Sequence, residues 1–256
     1  MPAVSPYFRR KLGQPKYPGL WEGCAWAACP SVMGPCGETL FDLSGRGNHG
    51  SLSGFTLSGA VAMSGGRYSL VLPGNRYIQA ASPVFQYPVS LAAWVRPTAT
   101  PATVQRVLCV AQSAAVGPLL SIHINGAAFV AQAFGGGTGD AQGGTVTAGE
   151  WHHIAGVFGP SSQVLYVNGI QAAATSVAVS IAGVNEIQVG ALEFATGIQY
   201  LTGNVDDLRV YGRYLSAGEI RLLAQSRGVA YDVSPPVYAD PLTTTLLKQR
   251  REAVVC

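Results

Sequence analysis

Gly203-Asn204-Val205-Asp206-Asp207-Leu208-Arg209-Val210-Tyr211 alternates apolar and polar residues as a strand does. Gly212-Arg213-Tyr214-Leu215 then leads into Ser216-Ala217-Gly218-Glu219, the pattern of a capping box that opens one short helix. Working outward, Glu150-Trp151-His152-His153-Ile154-Ala155-Gly156-Val157-Phe158 is followed by Gln163-Val164-Leu165-Tyr166-Val167-Asn168-Gly169, and Asn-Gly after such an alternation marks a hairpin. Earlier still, Ser90-Leu91-Ala92-Ala93-Trp94-Val95-Arg96-Pro97 reads as a strand stopped by proline. Further strands are predicted over 61–72, 77–80, 104–111, 119–124, 127–133 and 187–191, with Asn125-Gly126 as a second hairpin signal. A first strand is predicted within 19–36, through Leu20, Trp21 and Ala25–Ala28. Gly135 to Asp140 reads as a flexible loop, and because it does not join a strand to a helix it is no phosphate cradle.

Composition points the same way. Of 256 residues, 48% are hydrophobic, 11% are charged and 32 are glycine, which suits one large β domain with many turns. So few charges suggest either that part of the exterior is covered by something else or that Ser, Thr, Gln and Asn keep the surface wet. The net charge of +3 forms no dense stripe, so nucleic acid is not an expected partner. No run approaches the roughly 18 apolar residues of a bilayer span, and residues 1–18 lack the apolar core of a signal peptide. The expectation is a chain made in a host cytoplasm, with no membrane insertion.

Three parts are expected: an extended N-terminal arm over 1–18, a body over 19–227, and an extended tail over 228–256 that carries Pro235, Pro236 and Pro241. The five cysteines are an odd number. Cys24, Cys29 and Cys36 lack the paired spacing of a structural zinc site and read as buried thiols or as one disulfide between two of them.

The three strand segments, with Asp42-Leu43-Ser44-Gly45-Arg46-Gly47-Asn48-His49-Gly50 before them, resemble the laminin G-like branch of the concanavalin A-like lectin and glucanase superfamily from about Gly19 to about Ser226. The resemblance implies an all-β, two-sheet antiparallel jelly-roll sandwich, a fold used for sugar binding, protein binding, glycan hydrolysis and structural roles. Retaining glucanases of the superfamily carry E-x-D-x-x-E on one strand, and no glutamate of this chain begins such a run. Asp206 and Asp207, as strand neighbours, are expected on opposite faces and unable to act as a pair. Catalysis is therefore not expected.

Some relatives bind calcium through rim carboxylates, which makes Asn204, Asp206 and Asp207 the candidate metal residues and calcium the one candidate cofactor. The competing role for these carboxylates is structural, as acceptors of backbone N–H or arginine hydrogen bonds. His152 and His153 are expected to diverge, one inward and one to solvent, and the resemblance makes Trp151 and His152 part of the fold's signature. His49 is expected to order its turn. Candidate sugar-stacking aromatics are Tyr68, Tyr77, Phe134 and Tyr200, each equally readable as packing.

The leading functional expectation is a structural protein of a phage-like virion, in the capsid or tail, joined to other virion proteins or to copies of itself through the terminal arms. Similar sequences with the Asp42–Gly50 element occur in phage and environmental bacterial genomes. The alternatives are a carbohydrate-binding adhesin with a glycan partner and a calcium-dependent protein-binding module.

Overall fold

Period-two alternation gives each strand one apolar face, and such faces are buried most economically by stacking two sheets. The computed structural model describes residues 17–55, 60–64, 67–84, 86–112, 117–194 and 197–231. Residues 1–16 and 232–256, nearly all of the two expected arms, lie outside them.

A short 3-10 turn at Pro18–Leu20 leads into β1 (Cys24–Ala28), β2 (Thr39–Leu40), β3 (Gly50–Ser53), β4 (Val61–Ser64), β5 (Arg67–Pro73), β6 (Tyr77–Ala81), β7 (Val89–Pro97), β8 (Gln105–Ala111) and β9 (Leu119–Asn125). Next come β10 (Ala128–Phe134), β11 (Thr138–Gly143), β12 (His152–Gly159), β13 (Ser162–Val167), β14 (Ile170–Thr175), β15 (Glu186–Val189), β16 (Glu193–Phe194), β17 (Gly197–Ile198), β18 (Thr202–Tyr211) and the helix α1 (Ala217–Leu223). Ser216 accepts from Glu219 N while the Glu219 side chain bonds back to the Ser216 backbone, so the capping box read from the sequence opens the helix.

Among the described residues the strands form two antiparallel eight-stranded sheets and the small β16–β17 hairpin. The first sheet runs β14-β13-β12-β7-β18-β5-β4, with β1 paired to β18, and the second runs β11-β10-β9-β8-β15-β6-β3-β2. Trp26, Leu91, Val95, Phe158 and Val205 of the first sheet meet Leu108, Ile122, Phe129 and Ile187 of the second in one fully buried core. The all-β sandwich is the predicted one.

Several local readings differ. The stretch 61–72 is not one strand but the hairpin pair β4 and β5, with Ser64 opposite Arg67. The stretch read as a loop over 135–140 runs into β11, and β2, β3 and β14 (Ile170–Thr175) are strands that the sequence reading left out. Cys24, Cys29 and Cys109 keep buried free thiols while Cys36 is disulfide-bonded, so no bridge joins two of the first three cysteines.

A second apolar cluster covers the outer face of the first sheet. Leu20, Ala92, Ala155, Tyr211, Ile220, Leu223, Val229 and Ala230 pack there, so α1 and the segment through Tyr231 cap that sheet. Both neighbouring histidines are consequently buried: His152 packs on Phe129, and His153 lies under this cap beside Trp94. The expectation that one of them meets solvent fails because the outer face of that sheet is not a surface.

Candidate functional site

The outer face of the second sheet is capped differently. Register carries one row of side chains across all eight strands, pairing Thr39 with Ser51, Ser51 with Gln79, Gln79 with Gln188, Gln188 with Cys109, Cys109 with Ser121, Ser121 with Gln132, and Gln132 with Asp140. Ile78, Ile187, Leu108, Leu120 and Ala131 beside them point into the core, so the row points away from it. Seven of these eight residues carry polar side chains capable of hydrogen bonding through oxygen or nitrogen.

The middle of the row is closed by the segment from Gly190 to Leu201, which contains β16 and β17. Leu192 packs on Cys109, Ala111 and Leu119, with Phe134 against the same cluster. Beside it Arg106, 4% exposed, donates through Nε to Gln199 Oε1 (2.7 Å) and through Nη1 to Ser121 Oγ (2.6 Å) and Gln132 Oε1 (2.8 Å). Its Nη1 also lies 3.1 Å from His123 Nδ1, which must accept because a guanidinium only donates. Burial, then the Arg106 charge, hold the His123 pKa well below the ordinary imidazole value, so the ring is neutral and suited to accept. Gly190, at φ +78 with a Cβ position 2.6 Å from Leu72 Cδ1, is where the segment leaves the sheet, and no larger residue fits without displacing Leu72.

On one side of this segment the face opens. The Tyr77 and Tyr200 rings stand 6.4 Å apart, tilted by 47°. Gln79, two residues along β6 and so about 7 Å from Tyr77, donates through Nε2 to Glu186 Oε1 (2.7 Å), which Gln188 Nε2 also reaches. Ser51 is exposed and Thr39, Gln79 and Glu186 are partly exposed. Two aromatic rings thus stand beside amides, hydroxyls and a carboxylate, groups that by their chemistry can stack on an apolar ring face and hydrogen-bond to polar groups.

Of the four predicted aromatics, the structure brings together Tyr77 and Tyr200. Phe134 lies elsewhere on the same face and is packed into the covering cluster, and Tyr68 is half exposed on the first sheet opposite Met63. Sequence reasoning missed Gln79, Glu186 and Gln188. The local signal is only the alternation of Tyr77-Ile78-Gln79 and Glu186-Ile187-Gln188, and their meeting depends on the pairing of β6 with β15.

Asn204, Asp206 and Asp207 lie on the first sheet, away from this face. Asn204 donates to Ser69 Oγ (3.2 Å). Asp206 Oδ1 accepts from Ser31 N and Asp207 N (both 3.0 Å), and Oδ2 faces Arg227 Nη1 at 3.5 Å. Asp207 Oδ1 accepts from Arg209 Nε (2.8 Å) and Oδ2 from Gly228 N (2.9 Å). The two carboxylates do not diverge as plain alternation requires. A bulge between Asp206 and Arg209, with Asp207 at φ +43, inserts a residue and turns both toward Arg227 and Gly228. A calcium ion there would have to displace two arginines, and among the described residues no three His, Cys, Asp or Glu side chains converge.

The profile of the concanavalin A-like lectin/glucanases superfamily matches residues 72–221, more than half of the chain. No curated relative matches in sequence. Among solved structures, domain 4 of AbnA, an extracellular arabinanase from Geobacillus stearothermophilus in complex with arabinotriose, superposes with a TM-score of 0.63 at 18% identity, over 79% of this chain and 98% of that one. The binding domain of Paraclostridial Mosquitocidal Protein 1 gives 0.62 at 15% identity, over 80% of this chain and 52% of that one. The binding domain of botulinum neurotoxin DC in complex with SialylT gives 0.57 at 12%, over 80% and 52%. The chain thus spans about half the length of the two toxin domains, and at these identities the likeness is one of fold.

Proposed function

We propose that this chain, which belongs to the concanavalin A-like lectin/glucanase superfamily, is a non-catalytic carbohydrate-binding module whose site is the open shoulder of the second sheet. The observation that carries the reading is the Tyr77–Tyr200 pair standing beside Gln79, Gln188 and Glu186 on one face. The fold likeness to an arabinanase domain in complex with arabinotriose and to a toxin binding domain in complex with SialylT supports it. The particle-assembly role expected of the terminal arms rests on residues 1–16 and 232–256, outside the described residues, so glycan binding is the better supported reading.

Carboxylate spacing argues for binding rather than cleavage. Among the described side chains, the acidic ones carried on the strands of this sheet face are Glu186 on β15 and Asp140 on β11, four strand spacings and so about 19 Å apart. A glycosidase pair stands roughly 5–9.5 Å apart. Arg106, the buried cation of this face, is held by Gln199, Ser121 and Gln132 beneath the covering segment.

Glycan-array binding of the wild-type chain, followed by titration calorimetry on the hits, tests the proposal. Tyr77→Ala and Tyr200→Ala each remove a stacking surface and should weaken binding at least tenfold, while Tyr68→Ala, on the other sheet, should leave it unchanged. Equal loss from all three, or release of reducing sugar from the hits, sinks it.

A further inference from the structure

We infer that Glu186 is the hydroxyl acceptor of this site and restricts it to uncharged sugars, an inference that rests on the glycan-binding reading above. Both glutamine amides are directed at one oxygen of this carboxylate: Gln79 Nε2 and Gln188 Nε2 converge on Oε1. Two donors on one oxygen fix the plane of the carboxylate and leave Oε2 for a ligand. Glu186 is partly exposed, whereas Gln188 is buried, so the group is supported from beneath and open above.

The geometry suits an oligosaccharide. Gln79 lies about 7 Å along β6 from Tyr77, and Glu186, on the neighbouring strand opposite Ala81, bonds to Gln79 on the side away from Tyr77. A ring stacked on the tyrosines places its neighbour over the carboxylate, where a pair of hydroxyl groups can donate to Oε2. An ionised carboxylate accepts such hydrogen bonds more strongly than an amide oxygen, because they are charge-assisted.

The same charge sets the ligand class. A sugar acid placed over Glu186 would meet like charge, and among the described residues no arginine is ion-paired with this carboxylate. Arg106 is bound to Gln199, Ser121 and Gln132, and Arg76, next to Tyr77 in the chain, lies 5.4 Å over the Phe55 ring. The ligand chemistry is therefore a neutral, hydroxyl-rich oligosaccharide without carboxylate or sulfate at this subsite.

The test is a glycan array carrying matched neutral and acidic pairs, including lactose with sialyllactose and xylo-oligosaccharides with and without a uronic acid, read with the wild-type chain, Glu186→Gln and Tyr77→Ala. Glu186→Gln preserves shape, and an unchanged melting temperature verifies its fold. Wild type should prefer the neutral member of each pair. Glu186→Gln should weaken neutral binding about tenfold, the worth of a charge-assisted over a neutral hydrogen bond, and should narrow the gap to the acidic members. If wild type binds glycans in a Tyr77-dependent way yet prefers the acidic members, or binds neutral ones equally well as Glu186→Gln, this inference is overturned and the glycan-binding module stands. If wild type binds nothing on the array, both fall.

Discussion

Arg209 is fully buried, yet its charge is accounted for: Asp207 Oδ1 lies 2.8 Å from Nε, and the Trp21 and Tyr231 rings flank the guanidinium at 4.8 and 5.0 Å. Beneath it His153 must stay neutral, since burial first and the Arg209 charge second pull its pKa down to about 3. An unfolded histidine takes up its proton near pH 6.5, so between about 6.5 and 3 the unfolded chain binds more protons and stability falls as pH falls. His153 contributes up to about 1.4 kcal/mol of that loss per pH unit, and His123 acts in the same direction. Asp206, raised by burial, opposes this toward the acidic end. Urea denaturation at a series of pH values should show the slope, and His153→Phe, which keeps a ring against Trp94, should flatten it by about 1.4 kcal/mol per unit. An identical slope in the variant would remove His153 from the account. Sequence showed the histidine pair but not its burial, because what covers His153 comes from α1 and the segment through Tyr231, far along the chain.

Elements were legible where their signals are local. Ser216 and Glu219 announced α1, and Asn125-Gly126 and Asn168-Gly169 announced the β9–β10 and β13–β14 turns. Ser216→Ala should cost about 1 kcal/mol in chemical denaturation, since it leaves the Glu219 N–H without its acceptor and removes the hydroxyl donor to Glu219 Oε2, to which the backbone N–H of residue 216 still donates. No measurable change would mean that the two-pronged Arg213–Glu219 contact holds the helix start unaided. The misread stretch 61–72 contained its own warning in Gly65-Gly66, a hairpin pair in sequence terms. The bulge at Asp207 carried no such warning. Nothing in Val205-Asp206-Asp207-Leu208 breaks alternation strongly, and the extra residue is accommodated because Arg209 and Gly228 N both bond the turned carboxylate.

For the molecule as a whole, the boundary of the folded unit is a testable matter. Val229, Ala230 and Tyr231 are buried over the first sheet, Trp21 Nε1 donates to Ala230 O (3.2 Å), and Tyr231 stands edge-on to Trp21 at 5.0 Å. Of two chains that both lack residues 232–256, the one ending after Tyr231 keeps this cover, whereas the one ending after Arg227 exposes Arg209 and should be less stable by about 3 kcal/mol or more. Equal melting of both truncated chains would show that this cap contributes nothing. Sequence by itself determined the all-β class, the superfamily, the capped helix and the lack of an E-x-D-x-x-E strand, because alternation, turn chemistry and capping act over a few residues. Tertiary structure alone decided the row from Thr39 to Asp140, the Glu186 carboxylate held by Gln79 and Gln188, and the meeting of Tyr77 with Tyr200. Those contacts depend on which strands pair and in what register, and register is set by the packing of the whole sandwich rather than by any one strand.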